Sequence, residues 1–289
     1  MMTKNNLKPF LCNPYLLFFK NVQQVSSLWY VCSMGWIDTH AHMYDPAFLP
    51  DFQEMWERTA AISHICIPNV NEETLEGMKQ LSNSYPEKCF PMLGLHPCEV
   101  NGDWKKVWGR ILIQKNELPW IAVGETGLDF YWDKTFVAEQ EACLAAHVDL
   151  ANELELPVVL HARESLDRLI TLFSEALKPT HGAVFHCFTG SLEQAEWIMA
   201  QGYFIGIGGV LTYKNSALKD VVKQLSHHHI VLETDAPYLP PVPFRGKRNE
   251  PAFLLETAQC LADLWEMPLH QVMALTTDNA KRLFKRLPQ

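Results

Sequence analysis

The 289-residue chain is 48% hydrophobic and 20% charged, with a net charge of −9, which is the composition of a folded globular protein and not of a disordered one. The first 33 residues carry Lys4, Lys8 and Lys20 and no acid, so the 256 residues from Met34 onward hold −12. So acidic a body excludes loose, charge-driven coating of nucleic acid, which depends on phosphate neutralisation by Lys and Arg. It leaves room for a nuclease whose bound cations meet the phosphate.

Within the leader the longest apolar run, Tyr15 to Phe19, is shorter than a secretory core of about 7 to 15 residues or a membrane span of about 20. Neither export nor membrane anchoring is expected. Residues 1–33 read as a leader ahead of one domain at 34–289, with Met34 the expected true start. Eight cysteines without a CxxC pair read as reduced, mostly buried thiols, which makes the cytoplasm the expected compartment.

In chain order, apolar segments rich in Val, Ile and Phe predict strands at Trp36-Ile37, Ile62 to Ile67, Phe90 to Gly94, Trp120 to Val123, Pro157 to Leu160, Ala183 to Phe185, Tyr203 to Ile207 and Ile230 to Leu232. Helical spacing separates most of them, as at Phe136 to Leu154 and Leu192 to Gln201. Strands that are nearly all apolar imply a parallel sheet covered on its outer face, and eight strand–helix alternations imply an α/β fold closed as a (β/α)8 TIM barrel. Further helices are expected around Leu254 to Trp265, Leu269 to Leu275 and Asn279 to Leu287. The proline-rich run Ala236 to Pro243 reads as a loop and marks no domain boundary.

Metal-ligating residue types gather where strands end. Strand one runs into Asp38-Thr39-His40-Ala41-His42, strand three into His96, strand four into Gly124-Glu125-Thr126-Gly127-Leu128-Asp129, strand five into His161-Ala162-Arg163, strand six into His186-Cys187, and strand eight into Glu233-Thr234-Asp235. The C-terminal strand ends of such a barrel converge, so residues remote in sequence share one pocket. Alternation with period two puts His40 and His42 on the same inward face, where the pair suits one metal. His161, His186, Glu125 and Asp235 supply donors for a second ion, with Glu125 able to bridge through its two oxygens.

Each residue alone has a bland explanation, since a single strand histidine is usually a hydrogen-bonded core residue. Five histidines and two carboxylates at corresponding ends of different strands are not explained that way. By contrast, His227-His228-His229 precedes strand eight, at the end opposite the chemistry, and reads as a solvated loop. His64 and His181 read as stabilising residues, and alternation is expected to turn Cys187 away from the site. No GxSxG elbow, nucleophilic cysteine signature or GxGxxG fingerprint is present.

The motifs DTHAH, GLHP, GETGLDFYW, HAR, HCFTG and ETDAPYL occur in the order and spacing of the TatD family of metal-dependent deoxyribonucleases, which the chain resembles from Met34 to Leu287. The resemblance implies a TIM barrel, divalent metals and hydrolysis of DNA, often as an exonuclease. By that similarity His40, His42 and Asp235 hold one metal, Glu125 bridges, and His161 with His186 completes the second. His96 and Arg163 face the substrate, and Glu233 supports the site or binds a further ion. Arg248-Asn249-Glu250-Pro251 and Asn279 match the family's late segment and are expected to shape the rim and anchor the last helix.

The expected chemistry is attack of metal-activated water on a phosphodiester, with two divalent ions (Mg, Mn or Zn) as cofactors. Asp235 orients or deprotonates the water, and Arg163 stabilises phosphoryl charge. DNA, single-stranded or at ends, is the expected substrate of a monomer. An amidohydrolase or lactonase acting on C–N or C–O bonds is the enzyme alternative, because the same attack works on a carbonyl carbon. A metal-binding protein without turnover is the third.

Overall fold

A computed structural model of the protein describes residues 35–288, and the expectation of a leader at 1–33 lies outside them. Eight strands form one wholly parallel sheet in the order of the chain: β1 Trp36–Asp38, β2 Ile62–Pro68, β3 Cys89–Leu93, β4 Ala122–Asp129, β5 Val158–Arg163, β6 Ala183–Phe185, β7 Phe204–Ile207 and β8 Ile230–Leu232. Strands β1, β3, β6 and β8 are buried along their whole length. Helices sit between them, among them α4 (Val137–Leu154) and α6 (Leu192–Ala200).

The seam between β8 and β1 is stitched just beyond the strand ends. Thr39 N–H donates to Leu232 O (3.0 Å), Asp235 N–H to His40 O (2.9 Å) and His42 N–H to Ala236 O (2.7 Å). Asp38, fully buried, accepts from the backbone N–H and the hydroxyl of Thr234 at 3.0 and 2.6 Å. Burial pushes the Asp38 carboxyl up to about 8 against the pull of these bonds. The segments that close the barrel are therefore the same ones that carry His40, His42 and Asp235.

The opposite end is plugged by the last helix. Ile37, Cys66, Met92, Val159, Val184 and Val231 pack in one cluster with residues of this helix and the tail after it. Asn279 Nδ2 donates to His227 O and Ile230 O, both at 2.8 Å, and so ties the helix to the N-terminal end of β8. Three expectations need correcting. Strand β4 continues through Gly124-Glu125 to Asp129, and β5 continues to Arg163, so these motifs lie within strands and not beyond them. The two expected C-terminal helices are a single one, α9 (Leu269–Leu283). Its polar centre is carried through because Thr276 returns its hydroxyl to Val272 O (2.9 Å), which leaves the main-chain ladder intact.

Candidate metal centre

Strand β4 sets the middle of the site. Its pairing with β5 passes from Val123 opposite Val158 to Thr126 opposite Leu160, so one extra residue is inserted at Gly124-Glu125. Such a bulge re-aims a side chain beside a site. Glycine is required on both sides of Glu125: Gly124 and Gly127 have φ of 155° and 142°. A Cβ on Gly124 would stand 2.7 Å from Val159 O, and one on Gly127 2.1 Å from His161 O.

Around Glu125, which is buried, the histidines divide by carboxylate oxygen. Oε2 lies 3.2 Å from His40 Nε2 and 3.7 Å from His42 Nε2. Oε1 lies 2.9 Å from His161 Nδ1, 2.9 Å from His186 Nε2 and 3.5 Å from His96 Nε2. Asp235 Oδ1 joins the first set, 3.4 Å from His42 Nε2 and 3.8 Å from His40 Nε2. The seven strand-end residues expected to meet do meet. Asp235 adopts φ 56°, a left-handed backbone uncommon outside glycine, held by its bond to His40 O.

The outer nitrogens of His42, His161 and His96 are also engaged, while His40 Nδ1 is buried without a hydrogen-bond partner among the described residues. Tyr44 donates its hydroxyl to Pro68 O (2.7 Å), so His42 Nδ1, 3.0 Å from the same hydroxyl, is the donor to it and Nε2 keeps its lone pair. His161 Nε2 donates to Asp129 Oδ2 (2.9 Å), freeing Nδ1. His186 Nδ1 faces Glu233 Oε1 at 3.5 Å, without a hydrogen bond between them. His96 is reversed: its Nδ1 accepts from Cys98 N–H (3.1 Å), so Nε2 bears the proton of the neutral ring.

Electrostatics follow from this packing. Burial would raise Glu125, yet the surrounding imidazoles, His186 foremost, hold it well below the ordinary carboxylate range. Burial opposes the charge on His186, and Glu125 with Glu233 overrides it to push that ring well up. His40, stacked on His186 at 3.9 Å, goes down through burial and that neighbour's charge. Charge-balanced imidazoles around a carboxylate form a nitrogen and oxygen donor set that suits a divalent cation, whose binding displaces the protons. Ligand atoms of His40, His42 and Asp235 lie within 4.8 Å of one another, as do those of His96, Glu125 and His161, and those of His40, His186 and Glu233.

Four residues behind the candidate ligands are not singled out by the sequence pattern. Asp129 was visible only as the last acid of its motif, Tyr44 had no signal, and Asn69, at the exit of a strand without a ligand, donates to Gly94 O (2.8 Å). His147 on α4 accepts Leu95 N–H (2.9 Å), which fixes the backbone before His96. Cys187 departs from expectation: β6 ends at Phe185, so alternation no longer governs it, and with φ 48° it lines the same cavity as His186. That cavity, 720 Å³, is also lined by His42, His96, Glu125, Asp129, His161 and Asp235. Arg163 borders it, its guanidinium stacked 3.8 Å over the Tyr131 ring. The thiols at Cys66, Cys89 and Cys143 are free and buried, while Cys98 is free and exposed.

A parallel barrel whose open end gathers four imidazoles and three carboxylates around one cavity, with His40 buried behind them, has the donor set of a metal-dependent hydrolase. The profile of the TatD related DNase family matches residues 37–285. An uncharacterized metal-dependent hydrolase, YabD of Bacillus subtilis, is 33% identical over 86% of this chain and 98% of its own length. The 3'-5' ssDNA/RNA exonuclease TatD of a Rahnella species is 36% identical over 78% of this chain and 89% of its own. The crystal structure of YjjV, a TatD homolog from Escherichia coli, superposes with a TM-score of 0.79 at 32% identity, covering 86% of this chain and 98% of that one. The chain belongs to the TatD family and is an enzyme that hydrolyses ester bonds. No helix among the described residues is long and apolar enough to cross a membrane.

Proposed function

We propose that the protein removes nucleotides from single-stranded or frayed DNA, using two divalent cations held on either side of Glu125. The observation that carries this reading is the division of the histidines by carboxylate oxygen. His40 and His42 with Asp235 stand at Oε2, while His161 and His186 stand at Oε1. The outer hydrogen bonds of His42 and His161 leave an inward lone pair on one ring of each set, and Glu125 offers one oxygen to each set. Cations bound there would supply Lewis acidity to the phosphoryl group and to the attacking water.

The chain's own residues do the rest. His96, with its proton on Nε2, is a donor and not a ligand, and is suited to hydrogen-bond a phosphoryl oxygen. Asp235, held below the ordinary range against its burial by the His42 hydrogen bond and the charges of His186 and His40, is ionised and able to orient the attacking water and take its proton. Arg163 pairs with no carboxylate among the described residues, so its guanidinium is available to phosphate. A relative named as an exonuclease of single-stranded DNA and RNA supports the same substrate class.

The test is digestion of an end-labelled oligonucleotide with Mg²⁺ or Mn²⁺ by wild type and Arg163→Ala, with metal content measured alongside. Loss of a charge-assisted phosphate contact costs about 2 to 4 kcal/mol, so Arg163→Ala is expected to slow digestion about 30- to 1000-fold with metal content unchanged. Equal loss of metal and rate would remove Arg163 from the substrate and return it to the scaffold.

A further inference from the structure

The mouth of the cavity carries exposed aromatic surface that the ligand cluster does not use. Trp132 is 70% exposed and Tyr238 52%, and both line the cavity. Trp132 follows β4 and Tyr238 follows β8. In a ring of eight strands in sequential order these are four strands apart, which places the two on opposite sides of the opening.

Both are fixed to the metal-ligand cluster. The Trp132 backbone N–H donates to Asp129 Oδ1 (3.2 Å), while the other oxygen of that carboxylate receives His161. Its ring meets Tyr131 edge-on at 4.9 Å, and the Arg163 guanidinium lies 5.2 Å from its centroid. Across the mouth, the Tyr238 hydroxyl donates to Asp45 Oδ2 (3.2 Å), and its ring packs against His42 at 5.7 Å. Large exposed rings on either side of a mouth that also holds the Arg163 guanidinium, which pairs with no carboxylate among the described residues, suit flat aromatic groups attached to an anion.

We infer that Trp132 and Tyr238 are nucleobase-stacking residues, taking the unpaired bases on either side of the phosphate that meets Arg163. The inference rests on the nuclease reading above and names what selects the strand. An acidic body gains little from counterion release, so stacking, which is tolerant of sequence, supplies the grip. Bases inside a duplex have both faces covered and cannot reach these rings.

The experiment measures binding, by fluorescence anisotropy, of a labelled five-residue oligothymidylate with hydrolysis-resistant phosphorothioate links to the metal-loaded enzyme. Trp132→Ala and Tyr238→Ala are each expected to raise Kd at least about 10-fold, with Trp132→Phe restoring most of the loss. A strand lacking bases at two adjacent residues is expected to bind wild type as weakly as the alanine variants bind the intact strand. If wild type digests the unmodified strand while Trp132→Ala binds the resistant one within twofold of wild type, the stacking role falls and the nuclease reading stands. If wild type neither binds nor digests single strands, the nuclease reading falls and takes this one with it.

Discussion

Histidines gather at both ends of this barrel, and only one end can do chemistry with them. At the C-terminal rim five imidazoles surround Glu125, with Asp129 and Glu233 behind two of them. At the N-terminal end His227, His228 and His229 form one short turn before β8. There His227 stacks on Trp265 (4.0 Å), His229 packs on Phe204 (5.1 Å), and no carboxylate pairs with any of the three among the described residues. Burial lowers His227 and His229 with no carboxylate to oppose it. A local run of histidine is thus a packing feature, whereas a metal centre needs anions between the rings and partners that fix which nitrogen points inward.

The contrast is broken most directly by deleting the rim's candidate metal ligands. His40→Ala and His161→Ala are each expected to lose metal and to lower activity on the order of 1000-fold, about 4 kcal/mol, while circular dichroism stays that of wild type. Metal analysis decides this, and full metal content with full turnover in His161→Ala would end the assignment.

A third environment sharpens the comparison. His147 is buried with no carboxylate partner among the described residues, and burial lowers it to about 4 from an ordinary 6.5. The unfolded chain therefore binds the extra proton between those values, and stability present above pH 6.5 is lost as pH falls toward 4. The loss is on the order of 3 kcal/mol. Denaturant midpoints of wild type and His147→Gln at pH 7 and 4.5 measure it, and the variant is expected to show the shallower fall over that interval.

Smaller effects lie behind the ligands and at the far end. Asp129→Asn leaves His161 in place but weakens the acceptor that fixes its ring, so metal affinity is expected to fall about 10- to 100-fold, readable by titration against a chelator. Replacing all three residues of the His227 triplet by Asn is expected to leave metal content and rate within about twofold. A larger change in either would show that the N-terminal end communicates with the rim.

Much of this was legible in the sequence because parallel buried strands are apolar throughout and their exits are not. Strands β2, β6 and β8 fall within a residue of where hydropathy puts them. Strand β4 did not, because Gly-Glu-Thr-Gly has the composition of a loop, and only the inserted residue opposite β5 turns it into a bulged, buried strand. The cluster of candidate ligands was readable since its members lie within or just after strands at one end of the barrel. Tyr44, Asp129 and His147 were not, because their roles depend on which ring nitrogen or backbone group they meet, and that is a matter of distance across the fold and not of spacing along the chain. Cys187 misled for a related reason, since alternation stops where the strand stops.

The central claim is that the rim hydrolyses phosphodiesters at an assembled metal centre. It is tested most directly by offering the purified, metal-loaded protein single-stranded DNA, RNA, bis-p-nitrophenyl phosphate, an N-acyl amino acid and a lactone in parallel, each with and without chelator. The account predicts chelator-sensitive cleavage of the phosphodiesters and none of the amide. Intact nucleic acid alongside an opened amide or lactone would contradict it.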